Sequence, residues 1–198
     1  MKKLLIPLAL FMFIQCSNNT ELSKKERDFA ITEINTSKDS FLNTIDNLSI
    51  EQLNFKVNDD SWSVAECTEH VTLFIDEVFE ILEESLELPS NPERRKDVKF
   101  SDKELIVFVQ NRTNKSKTQK DYEPNKTFGN HTNTVKTYKR KLKKHIQYLK
   151  NTKDDLRNHY VNFGTVDTYQ IFLYMAAHTN RHIEQIKEIK NNINFPKN

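Results

Sequence analysis

The chain has 198 residues, 30 of them basic and 28 acidic for a formal net charge of +2, and it is 36% hydrophobic and 29% charged. That length suits one domain with a real core and no disulfide staples, and so balanced a charge gives no reason to expect a polyanionic partner. Only two Gly and five Pro occur, which argues against an all-β fold with many tight turns and in favour of long helices.

The first residues read as a targeting segment. Lys2 and Lys3 precede the apolar run Leu4 to Ile14. A membrane span needs about 20 apolar residues, so this run has the length of a signal-peptide core instead. Cys16 and the polar Ser17-Asn18-Asn19-Thr20 follow. The pattern resembles a bacterial lipoprotein signal, in which the cysteine is lipidated and begins the mature chain. Phe13 and Gln15 depart from the Leu and the small residue usual at their places. The expected organisation is a signal peptide over 1–15, a polar tether over 16–24 and a helical domain over 25–195, lipid-anchored through Cys16 in the bacterial cell envelope. Cys67 is then the remaining thiol, and no intramolecular disulfide can form.

After the tether, Phe29, Ile34, Phe41, Leu42, Ile45 and Leu48 give a helical stripe from about Lys25 to Leu48. Ser49 to Trp62 shows no period. Ser63 and Glu66 then have the spacing of a capping box, and Cys67, His70, Val71, Phe74, Val78, Ile81 and Leu82 recur at three and four residues. The outward face of this helix carries Glu69, Asp76, Glu80, Glu83, Glu84 and Glu87, and Pro89 and Pro92 end it. Ser101 and Glu104 open a short apolar helix, Leu105 to Val109, and the polar stretch 111–130 reads as a long connection.

A further helix runs from about Asn133 to Asn151, with Val135, Tyr138, Leu142, Ile146 and Leu149 inward. Its seven basic residues (Lys136, Lys139, Arg140, Lys141, Lys143, Lys144 and Lys150) read as a solvated face rather than a nucleic-acid surface. His159 to Gly164 makes a turn. Asp167 caps the last helix, with Gln170 three residues on, and its inner face runs Ile171, Tyr174, Met175, His178, His182, Ile186 and Ile189. The predicted fold is all-α, a four-helix bundle with a long crossover connection and an extra short helix.

His178 and His182 lie four apart, so both imidazoles share one helix face. The zinc-protease form of this spacing would place Glu directly after the first His, and Thr179 stands there instead. His70 lies inside the apolar stripe of another helix. One metal ion would satisfy a nitrogen of all three rings at once, where separate burial would demand a partner for each. Three protein ligands leave open positions for water or substrate. Bonds of about 2.0–2.1 Å to one ion imply ring nitrogens roughly 3–4 Å apart.

Trp62-Ser63-Val64-Ala65-Glu66 followed by His70 resembles the start of the second bundle helix in the DinB-like superfamily. The stretches Asp155-Leu156-Arg157-Asn158-His159, Phe163-Gly164, Tyr169-Gln170 and His178-Thr179-Asn180-Arg181-His182-Ile183-Glu184-Gln185-Ile186 resemble the end of that family's domain. The resemblance covers about residues 25 to 195. It implies a four-helix bundle whose metal ligands are His70, His178 and His182, and a metal-dependent hydrolase or thiol S-transferase as the class of activity.

Other residues take secondary places. Cys67, one turn before His70, is a fourth, soft ligand or a small core residue. Tyr174 lines the pocket or packs in the core. Arg181 binds an anionic substrate or makes a surface ion pair. Gln185 supports a ligand from behind. His159 shuttles protons at the mouth or caps the turn, while His131 and His145 read as ordinary polar positions. The expected cofactor is a divalent ion, zinc or nickel, activating water or a thiol. Hydrolysis is preferred, because low-molecular-weight thiols are mainly cytosolic. The rival is a non-catalytic lipoprotein whose bundle captures a small ligand or protein. A small-molecule substrate and the membrane are the expected partners, nucleic acid is not, and a homodimer stays open. No catalytic acid or base can be nominated from the sequence.

Overall fold

The computed structural model describes residues 20–113, 118–161 and 165–197. The expected signal peptide and the lipidation site Cys16 lie outside these residues, as do residues 17–19 of the tether. Among the described residues no helix is long and apolar enough to cross a membrane.

Serine caps start most of the helices. Helix α1 (Lys24–Ile45), α3 (Val64–Leu86) and α4 (Asp102–Gln110) each open on a complete capping box, through Ser23 and Glu26, Ser63 and Glu66, and Ser101 and Glu104. Each such cap is worth about 1 kcal/mol, because it satisfies amide donors that the first turn leaves without partners. Helix α1 stops before Leu48, where Asn47 takes a left-handed φ of 55°. Ser49 and Gln52 then cap a short helix that periodicity did not reveal, α2 (Ile50–Asn54). Five residues are too few to display a 3.6-residue repeat, although the S-x-x-Q start was there to be read.

Helix α5 (His131–Asn151) is capped by Asn130, and α6 spans Gln170–Lys190. Asp167 lies three residues before that first helical residue, yet it makes the capping bonds expected of it. Its Oδ1 accepts from the Gln170 amide at 2.8 Å, and its own amide donates to Gln170 Oε1 at 3.3 Å. The expected turn after His159 is closed by a small antiparallel pair, β1 (Tyr160–Val161) and β2 (Val166–Asp167). Three of those four residues, Tyr160, Val161 and Val166, are β-favouring, but the strands are too short to announce themselves.

Side-chain pairs fix the direction of each long helix. Lys190 Nζ donates to Thr44 O at 2.8 Å and Arg27 Nη1 to Leu149 O at 2.7 Å. Helices α1 and α6 therefore run parallel, and α5 runs against them. Asp76 pairs with Lys141, and the Phe79 ring stacks on His145 at 4.1 Å, so α3 and α5 ascend together. Phe79 meets Phe172 at 6.2 Å while His70 meets His182 at 4.6 Å, so α3 and α6 are antiparallel. The order is up-down-down-up. Two parallel helices in succession require the long crossover between them, and that crossover carries α4 across to pack on α6.

Ile34, Phe41, Phe79, Leu82, Tyr138, Leu149 and Phe172 are all buried at the centre. His145 joins them, against the expectation of an ordinary polar position. It is 1% exposed, and burial pushes its imidazole pKa down to about 4. The neutral ring packs as an aromatic, flat against Phe79.

Candidate metal centre

The two capping boxes that register α3 and α6 also set the site. From Ser63, α3 carries His70 onto the face that meets α6. From Asp167, α6 carries His178 and His182 onto the opposing face, one turn apart. Each of the three rings offers one nitrogen, and these nitrogens all lie within 4.8 Å of one another. His178 Nε2 and His182 Nε2 are 3.2 Å apart. That pair matches the expected 3–4 Å, and the group as a whole falls within the slightly wider 4.8 Å.

Hydrogen bonds determine which nitrogens face inward. His70 Nδ1 lies 2.8 Å from Tyr122 O, and a carbonyl can only accept, so Nδ1 carries the proton and Nε2 a lone pair. His182 Nδ1 lies 2.8 Å from Gln185 Oε1, which fixes the same tautomer. His178 Nδ1 is buried without a partner. Two lone pairs thus converge beside a third imidazole whose Nδ1 has no partner among the described residues, a geometry that a cation relieves. Burial pushes all three imidazoles below their ordinary pKa, His178 and His182 well below it, and the proximity of the other rings adds to this for both. Neutral rings are what a divalent ion requires. The donor set fits a first-row divalent ion, and the chemistry of the rings does not choose among zinc, nickel, copper and iron.

Glu69 corrects the sequence reading. It was placed on the outward face, but it is 7% exposed, and its Oε1 accepts from the Thr127 amide at 2.6 Å and the Asn125 amide at 3.3 Å. Those residues belong to the connection before α5, which turns through Lys126 and Gly129 at φ 66° and 79°. Consecutive side chains on α3 therefore hold one strap: Glu69 grips its amides, and His70 donates to its Tyr122 carbonyl. Glu69→Ala should loosen the strap and release the bond that orients His70, weakening zinc binding by about 10- to 100-fold, as loss of such supporting partners generally does. Glu69→Gln keeps one acceptor and should recover part of that loss. Competition with a chromogenic chelator measures it, and unchanged zinc affinity in Glu69→Ala would show the strap to be irrelevant to the ligands.

The rings form one wall of an open cleft of about 890 Å³. Trp62 lies over His70 with ring centres 4.7 Å apart, and Phe74 stacks on His178 at 3.7 Å. Tyr174 lines the cleft and stacks on Phe74 at 5.5 Å. Arg181 also lines it, with Nη1 donating to Asn111 O. Gln185 lies behind His182. Cys67 is not among the grouped ligands: it is fully buried in the hydrophobic core, and burial pushes its thiol up to about 12, so it is inert. His159 is far from the rings. Its Nδ1 meets Ser85 O at 2.9 Å and so caps the last turn of α3. Glu69, Tyr122 and Arg112 were missed as site residues. Two of them come from the connection, where no periodicity signals what the chain will touch.

A family model described as the DinB superfamily matches residues 33–186. No curated protein matches the chain, and no solved structure matches it.

Proposed function

This chain belongs to the DinB superfamily, and from that premise we propose that it is a metal-dependent enzyme, a hydrolase in preference to a thiol S-transferase, acting on a small molecule. The observation that carries the reading is the convergence of His70, His178 and His182 on one point at the wall of an open cleft. A bound divalent ion, zinc or nickel, supplies Lewis acidity and lowers the pKa of a water or thiol. The protein residues do the rest. Tyr122 O and Gln185 Oε1 hold the tautomers of His70 and His182, Trp62 and Phe74 brace the ring planes, and the aromatic lining displaces water from the substrate's apolar part.

Metal analysis of the native protein, followed by an activity screen with and without chelator, tests this. Stoichiometric exchangeable metal and chelator-sensitive hydrolysis of a small ester, amide or related substrate are expected. A protein with no metal affinity would leave a non-catalytic binding module as the better reading.

We further place the chain on the bacterial cell envelope through lipidated Cys16, a reading supported by the basic, apolar and cysteine-containing sequence of residues 2–16. Two or more acyl chains give stable anchoring where one does not. Mass spectrometry of the native protein should find Cys16 as the acylated mature N-terminus, and an unmodified Cys16 would refute the lipoprotein assignment.

A further inference from the structure

We propose that the cleft beside the three histidines is a binding site for small organic carboxylates with a flat apolar body, in which Arg112 and Arg181 receive the carboxylate. The inference rests on the metal reading above and names the ligand class for the same site.

The charges at the cleft are one-sided. Three neutral imidazoles do nothing to offset the charge of a divalent ion, and among the described residues no carboxylate joins the ligand group. Arg112 and Arg181 both line the cleft, Asp60 is the one carboxylate residue among its described lining, and Glu188 meets Arg112 from outside that lining. The two guanidinium groups are near neighbours: Arg181 Nη1 donates to Asn111 O, on the residue directly before Arg112, and both side chains line the same cleft. Like charges gathered in a partly enclosed site raise the local concentration of anions.

Both arginines are held in place rather than free to wander. Arg181 reaches Asn111 O at the end of α4. Arg112 places Nε and Nη2 on Glu188 at 2.8 and 2.7 Å, which leaves Nη1 outside that pair. Glu188 is largely exposed, so this ion pair is weak and easily shared with an incoming anion. A planar guanidinium matches a carboxylate in shape as well as charge. Trp62, Phe74, Tyr122 and Tyr174 also line the cleft and supply flat apolar surface, which suits an aromatic or otherwise planar body.

The test uses the full chain, zinc-loaded and zinc-free, with 3-phenylpropionate, its neutral amide and propionate as probes in calorimetric titration. The zinc-loaded protein should bind the acid at least tenfold more tightly than either the amide or propionate. Arg181→Gln and Arg112→Gln should each lose at least tenfold in acid affinity while retaining zinc. Glu188→Gln should raise acid affinity, because it releases Arg112, whereas a merely structural role for this pair predicts a loss. Weak acid binding by the zinc-free protein that is lost in the arginine variants supports the anchor even if no metal binds, so the two readings fail separately. Equal affinity for acid and amide would overturn the proposal. So would acid binding that survives both arginine substitutions but disappears in His182→Ala, because the metal alone would then be taking the carboxylate.

Discussion

His182→Ala should strip the protein of most of its zinc affinity without unfolding the bundle. In the wild-type chain, zinc at one hundred times its dissociation constant stabilises the fold by about 2.7 kcal/mol. A variant with two ligands left and affinity at least 100-fold weaker would gain only about 0.4 kcal/mol at the same zinc concentration by the same relation. The melting-temperature rise on adding zinc should therefore nearly vanish. The bundle survives because its core of Phe41, Phe79, Tyr138 and Phe172 is untouched. His131→Ala, on α5 and outside the ligand group, is the control and should respond to zinc like the wild type. If His182→Ala keeps wild-type zinc affinity, the three-histidine site is wrong.

The structure moves the pH at which protons displace zinc without changing the direction of the effect. Free imidazoles would begin to lose zinc as pH drops below about 6.5. Here burial holds His70, His178 and His182 below that value in the folded protein, so protons compete with zinc only at lower pH. Zinc affinity should stay flat through pH 6.5 and fall beneath it. The metal-free protein behaves differently. Its unfolded histidines take up protons near pH 6.5 while the folded ones do not, so its stability is full above that pH and is lost as pH falls toward the depressed folded values.

Arg157→Met should cost about 3–5 kcal/mol, the usual penalty for breaking a buried ionic cluster from one side. Arg157 Nε reaches Glu26 at 2.9 Å, its two terminal nitrogens grip Asp102 at 3.0 and 2.7 Å, and Nη1 also meets Asp167 at 2.9 Å. Its plane lies 3.9 Å from the centre of the Tyr169 ring, and Tyr169 Oη donates to Glu26 O at 2.8 Å. One side chain thereby ties together the start of α1, the start of α4, the hairpin and the start of α6. Asp167 is fully buried, and burial raises its pKa despite Arg157. Removing the arginine leaves Arg95 as its remaining ion-pair partner among the described residues, and Arg95 is about half exposed. Arg157→Lys should recover less than half of the loss, because a single ammonium cannot make the bidentate and stacked contacts together. Denaturant melts of the zinc-free protein measure both variants. A cost under 1 kcal/mol for Arg157→Met would mean that the cluster does not hold the end of the bundle.

The difference between what was legible in the chain and what was not has a physical basis. Helix starts were legible because a capping box is a local bond between residues three apart, and Ser63 with Glu66 fixes the register that turns His70 inward. The pairing of His178 and His182 was legible for the same reason, as one turn of helix places them on one face. The apolar stripe of α3 offered His70 as their partner, the resemblance to the family pointed to the same residue, and the bundle brings it there. Glu69 and His145 were misplaced because both judgements assigned polarity to the surface. A carboxylate that grips the amides of a strap, and an imidazole that stacks on Phe79, are polar groups made tolerable by partners more than 50 residues away.

The sequence by itself determined where the long helices start and that His178 and His182 share one helix face, since these depend on bonds within a few residues. The tertiary structure alone decided that α3 and α5 run parallel, that the connection between them returns Tyr122 to His70, and that Arg112 arrives beside Arg181 at the cleft. Those contacts join residues far apart in the chain, and only the packing of the whole core selects among the partners that each could have met.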